Sequence, residues 1–146
     1  MADPSIAQAV FLRGRSSLED PTKLGMIVES TVFKHLSIET LQSAPLSFSY
    51  WKGKKDREVD IIVQHGERMI PLEIKYRSKQ HTMPKDLQGL VDFCKERKSG
   101  RAYVITKDSD DLDVISLGGT DVYKVPAPLA CYILSSSPSL FSPTIS

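Results

Sequence analysis

Apolar residues at Leu24, Ile27, Val28, Val32, Leu36 and Ile38 recur near the 3.6-residue repeat and predict a long helix over 24–41. Glu29 lies beside that stripe, in line with Phe33 and Leu36. Ahead of it, Asp3-Pro4-Ser5 opens a shorter helical pattern through Ile6, Ala9 and Val10, with Asp3 as N-cap and Pro4 in the first turn. The polar run 15–22 reads as a loop. The period then falls to two: 46–52, 57–64 and 69–76 read as strands, the last two joined across His65-Gly66. Amphipathic spacing returns over 82–98, with Leu87, Leu90, Val91 and Cys94 on one side and Gly100 as a stop. A short strand at 102–106, a solvated acidic loop at 108–113, strands at 114–117 and 122–125, and a helix at 127–134 complete the pattern.

Helices flanking a small mixed central sheet make an α/β domain. A length of 146 residues suits one domain with a sizeable core, expected over 1–134. From Ser135 the chain is serine- and proline-rich, a tail over 135–146 in which Leu140 and Phe141 are the residues able to dock on a neighbour. Net charge is only +1, so a nucleic-acid site must be a local patch. Cys94 and Cys131 lack metal-type spacing, and Cys94 sits on an apolar helix face, as a buried free thiol would. His35, His65 and His81 share no ligand spacing; His65 is placed in a turn and the other two on the surface. No apolar run approaches the roughly 18 residues that span a bilayer, and Arg13 and Arg15 interrupt the early apolar stretch. The expectation is a cytoplasmic protein without a membrane partner.

The chemistry concentrates in the hairpin. In its second strand Ile70, Leu72, Ile74 and Tyr76 share one face, and Glu73 and Lys75 the other. In its first strand Val59, Ile61 and Val63 oppose Glu58 and Asp60. A loop at His65-Gly66 pairs Gln64 with Glu67, Asp60 with Pro71 and Glu58 with Glu73. Asp60 and Glu73 are then diagonal neighbours on one face, about 7–8 Å apart at the backbone. Converging carboxylates suit a hard cation, Mg²⁺ or Mn²⁺. Lys75 beside them suits metal-assisted hydrolysis of a phosphodiester. A solvated outer face, with Lys75 paired to Glu58, has the same periodicity and stays open as an alternative.

Asp60, twelve intervening residues and then Glu73-Ile74-Lys75, with Glu29 on a preceding helix, resembles the PD-(D/E)XK nuclease superfamily. The closer likeness is to DUF4143, a C-terminal domain of many prokaryotic AAA-type ATPases, through four stretches in order. These are Asp3-Pro4-Ser5-Ile6, Leu24-Gly25 with Glu29, Glu58-Val59-Asp60-Ile61-Ile62-Val63 and Pro71-Leu72-Glu73-Ile74-Lys75. The resemblance implies a restriction-endonuclease-like fold, metal-binding Asp60 and Glu73, a catalytic Lys75, and Glu29 completing the metal shell. It also implies an ATPase module in the same or a neighbouring chain, and it accommodates a homodimer. The phosphate-cradling pattern G-x-x-x-x-G-K-S/T is absent from this sequence, so the chain is not expected to be an ATPase by itself.

From Lys52 to Lys85 there are nine Lys or Arg against five Asp or Glu. Lys52, Lys54, Lys55, Arg57, Arg77 and Lys79 are the candidate contacts to DNA or RNA phosphates. Two functions remain in view: a divalent-metal-dependent nuclease, and a non-catalytic accessory domain that binds nucleic acid or a partner for an ATPase.

Overall fold

The structure, a computed structural model, describes residues 19–42, 46–76 and 84–136. The helix expected near Ile6, the tail beyond Ser136, His81, Arg77 and Lys79 lie outside the described residues.

Helix α1 (Pro21–Gln42) begins earlier than the apolar stripe suggests. Asp20 Oδ1 accepts the N–H groups of Thr22 at 3.0 Å and Lys23 at 3.4 Å, and Pro21 occupies the first helical position. The same cap-and-proline device expected at Asp3-Pro4 therefore operates at Asp20-Pro21, at the end of the presumed loop.

Among the described residues six strands follow: β1 (Ser47–Lys52), β2 (Glu58–His65), β3 (Arg68–Lys75), β4 (Arg101–Thr106), β5 (Asp113–Leu117) and β6 (Thr120–Pro126). They form one sheet in the order β1-β2-β3-β4-β6-β5. The first three are antiparallel, β3, β4 and β6 run parallel, and β5 returns antiparallel at the edge. A 3₁₀ turn (Pro84–Leu87) and α2 (Gln88–Arg97) stand between β3 and β4, and α3 (Ala127–Ser136) closes the described chain. The chain is thus mixed α/β, with helices over both faces of a mixed sheet.

Each face has its own core. Val32 and Leu36 of α1 and Ala130 and Leu134 of α3 pack on Ile61, Val63, Leu72 and Ile105. Leu90, Phe93 and Cys94 of α2 pack on Val59, Ile62, Val104 and Val122. Trp51 meets Phe93 edge-on at 5.9 Å, while Tyr50 is exposed, so only one of these neighbours is core. Cys94 is a buried free thiol, as expected. His35 is half-buried rather than on the surface. Among the described residues, no helix is long and apolar enough to cross a membrane.

The hairpin turn and the acidic loop also differ from expectation. The hairpin turn is Gly66-Glu67, not His65-Gly66: His65 ends β2 opposite Arg68, and Ile62, not Asp60, pairs with Pro71. Gly66 takes φ +59°, at the first turn position where tight hairpins favour glycine. The acidic loop is also not wholly solvated. Asp111 is fully buried, and its Oδ1 accepts a hydrogen bond from Lys124 Nζ of β6 at 2.5 Å. A carboxylate enters the interior there because a cation thirteen residues later meets it.

Candidate active site

The site forms where the β2–β3 ladder stops. β2 carries a bulge: Ser49 pairs with Ile62, but Trp51 pairs with Val59, so Asp60 and Ile61 together stand against Tyr50. The extra residue breaks the alternation, and for that reason Val59 joins the α2-side core while Ile61 and Val63 join the other. The expected grouping of Val59 with Ile61 and Val63 fails at this point. Asp60 is turned toward α1, into a groove it lines with Glu29, Ile74, Lys75 and Tyr76.

The last ladder pair is Ile61 with Leu72, so Asp60 falls directly opposite Glu73 rather than diagonal to it. The next donor of β3, the N–H of Ile74, bonds to Asp60 Oδ2 at 2.7 Å. β3 alternates as expected, with Ile70, Ile74 and Tyr76 against the α1-side core. Glu73 and Lys75 line a second groove on the α2 side with Glu58, Lys55, Lys85 and Gln88. Lys75 lines both grooves. The two carboxylates therefore approach from opposite faces around the end of the ladder, rather than lying side by side on one face.

Glu73 is 3% exposed and ion-paired through Oε1 to Lys75 Nζ. The alternative of a solvated outer face with Lys75 paired to Glu58 is thereby set aside. Among the described residues, Glu73 Oε2 is buried without a hydrogen-bond partner. Burial and then the charge of Asp60 push the Glu73 carboxyl up to about 7, against the downward pull of Lys75 and the Asp60 amide. Asp60 is also raised, chiefly by burial, with the Ile74 N–H and Lys75 opposing. Glu29 is raised by burial and by the charges of Asp60 and Glu58. Three carboxyls held above their usual range first by lost hydration and then by neighbouring carboxylates are a setting that favours added positive charge. Among the described residues, no three Asp, Glu, His or Cys side chains converge closely enough to form a ready metal cage. Glu29 is exposed on α1, and Glu73 gives one oxygen to Lys75.

The rim comes from the β1–β2 turn. Lys52, Lys54 and Lys55 are exposed there, and Lys55 and Asp56 hold φ of +59° and +53°. Arg57 is engaged: it pairs with Asp92 of α2, which also accepts from Gln88 Nε2 at 3.0 Å. The Arg57 hydrogen bond is the main reason the Asp92 carboxyl sits below its ordinary range. Gly89 lets α2 press on β2, since a Cβ there would lie 2.3 Å from the Glu58 carbonyl oxygen. Asp92 and Gly89 were not legible as site-shaping residues, because both act through contacts with residues about thirty positions earlier.

The search against curated proteins gives no match. Residues 24–128 match the family model DUF4143, a domain of unknown function. That match takes in Glu29, Asp60, Glu73, Lys75 and all six strands, and it spans well over half the sequence: the chain belongs to the DUF4143 family.

Proposed function

We propose that this domain is a divalent-metal-dependent phosphodiester hydrolase with a restriction-endonuclease-like fold, acting on DNA or RNA in the cytoplasm. The observation that carries the reading is Glu73: a buried carboxylate with one oxygen on Lys75 and the other unpartnered, opposite Asp60. Mg²⁺ and Mn²⁺ are commonly held by one or two carboxylates, with water and substrate phosphate filling the other positions. Asp60 and Glu73 suit that arrangement, and Glu29, on the same groove as Asp60, would complete the shell through its exposed carboxylate. The ion's contribution is Lewis acidity, which favours ionised water and offsets phosphate charge.

The chain's own groups supply the rest. Lys75, lining both grooves, orients the attacking water and offsets charge growing on the non-bridging phosphate oxygens. The Ile74 N–H fixes the Asp60 carboxylate, so it need not reorganise when substrate arrives. Lys52, Lys54 and Lys55 take neighbouring phosphates without reading sequence, while Arg57 acts through Asp92 to hold the turn. Water adds to phosphorus and one bridging P–O bond breaks, leaving a phosphomonoester and a hydroxyl end. An ATPase module in the same or a neighbouring chain is the proposed working partner.

A second reading, a non-catalytic accessory domain that binds nucleic acid or a partner, is favoured by one observation. Lys75 already lies against Glu73 and offsets part of its charge with no cation needed. Cleavage assays decide between them, on linear, supercoiled, branched and single-stranded substrates with Mg²⁺ or Mn²⁺, beside Asp60→Ala and Lys75→Ala proteins. Metal-dependent cutting lost in both variants supports the hydrolase. Uncut substrates throughout, with every protein folded, sink it in favour of the accessory role.

A further inference from the structure

The far end of β3 carries a second cationic cleft. Parallel pairing of β3 with β4 begins only at Leu72 and Tyr103, so the starts of the two strands are not joined to each other. Arg68, Arg97, Lys98, Arg101 and Tyr103 line the opening between them, with Glu67 the one acidic residue in its lining, so cations outnumber it four to one. Arg68 is five residues from Glu73, about 17 Å along an extended strand, so the cleft is separate from the carboxylate site.

Its cations come from three elements: the start of β3, the end of α2 and the start of β4. Arg97 pairs with Glu96 at 3.4 Å, while Arg68, Lys98 and Arg101 have no ion pair among the described residues. Complementing the helix dipole accounts for Arg97 and Lys98 at the end of α2, but not for the two strand arginines. Lys98 also holds the left-handed conformation, φ 55° and ψ 36°, at a cap where glycine is the default, while its N–H bonds to Cys94 O. Tyr103 adds an aromatic floor, stacked on Tyr123 at 5.3 Å with the rings 23° from parallel.

We infer that this cleft binds single-stranded nucleic acid, with phosphates on Arg68, Lys98 and Arg101 and a base against Tyr103. Cations beside an aromatic platform are the combination that holds unpaired strands without reading sequence. The assignment stands whether or not the chain cuts its ligand.

The test is anisotropy of a fluorescein-labelled twelve-nucleotide oligo-dT, titrated with the full chain in EDTA across a salt series. Arg68→Ala/Arg101→Ala is expected to weaken binding and flatten the log–log salt slope by about 1.4, the loss of two single-strand phosphate contacts. Tyr103→Leu should weaken binding by about fivefold or more at an unchanged slope. Arg68 and Arg101 are exposed, and melting curves of the variants check that folding is intact. Wild-type affinity and slope in the double variant would overturn the site. Competition by inorganic triphosphate equal to that by unlabelled oligo-dT, phosphate for phosphate, would overturn the stacked base. Binding lost in Lys54→Ala/Lys55→Ala, on the rim of the carboxylate site, but kept in Arg68→Ala/Arg101→Ala would overturn the cleft as the oligonucleotide's seat.

Discussion

Asp60 accepts the backbone N–H of Ile74 at 2.7 Å, so a side chain takes over where the β2–β3 ladder ends. One carboxylate thus has two duties. Asp60→Ala leaves a donor unpaired at the site and is expected to cost about 1–3 kcal/mol. Asp60→Asn retains an oxygen for that donor and should unfold within about 1 kcal/mol of wild type. On the proposed function both lose metal-dependent cleavage. Urea denaturation beside the cleavage assay separates the two duties.

Glu73 prefers its proton in the folded state. Its carboxyl moves from the ordinary 4.5 to about 7, so the folded chain binds more protons than the unfolded one across that interval. Stability from this group is therefore fully present below pH 4.5 and falls as pH rises towards 7, by up to about 3 kcal/mol. Asp60, also raised, adds a loss of the same sign. Glu73→Gln should remove most of the slope, flattening unfolding free energy between pH 5 and 8 in EDTA. A wild-type chain as stable at pH 8 as at pH 5 would contradict this.

Divalent metal should reverse that trend. Under the proposed function, Mg²⁺ competes with the Glu73 proton and stabilises the fold more at pH 8 than at pH 5. At a concentration a hundredfold above its dissociation constant the gain is about 2.7 kcal/mol. Thermal melts with and without Mg²⁺ at the two pH values measure it, and Glu73→Gln with Asp60→Asn should show no gain.

Lys124 and Asp111 form a buried pair away from this chemistry. Asp111→Ala is expected to cost about 3–5 kcal/mol, because it strands an ammonium in the interior. Lys124→Met with Asp111→Leu should recover most of that loss. A double-mutant cycle in urea gives the coupling.

Gly89→Ala tests the contact that sets the α2 groove. Its methyl would meet the Glu58 carbonyl at 2.3 Å, so α2 must retreat, at a cost of about 1–3 kcal/mol. No charged group is lost, so any fall in activity would report groove width.

Legibility followed the range of the interaction that decides each feature. The Leu87, Leu90 and Cys94 stripe and the alternation of β3 are local periodicities, and both read correctly. β2 misread because a bulge at Asp60-Ile61 adds one residue that period-two counting cannot see. The turn slipped by one residue because His65-Gly66 and Gly66-Glu67 each place the glycine in a two-residue loop. Asp60, Glu73 and Lys75 were found as a set, yet their meeting from opposite faces depends on that same bulge. Asp111 looked solvated among its acidic neighbours, since nothing beside it announces Lys124.

Lys75 opens on both grooves, and those grooves belong to separate layers, one under α1 and one under α2. The sheet keeps the two hydrophobic cores apart, one packed on each face. Anything seated at Lys75 rivets them together. Occupancy would then slow amide exchange in α1 and α2 in step, although a ligand at the sheet's end touches only the margin of either core.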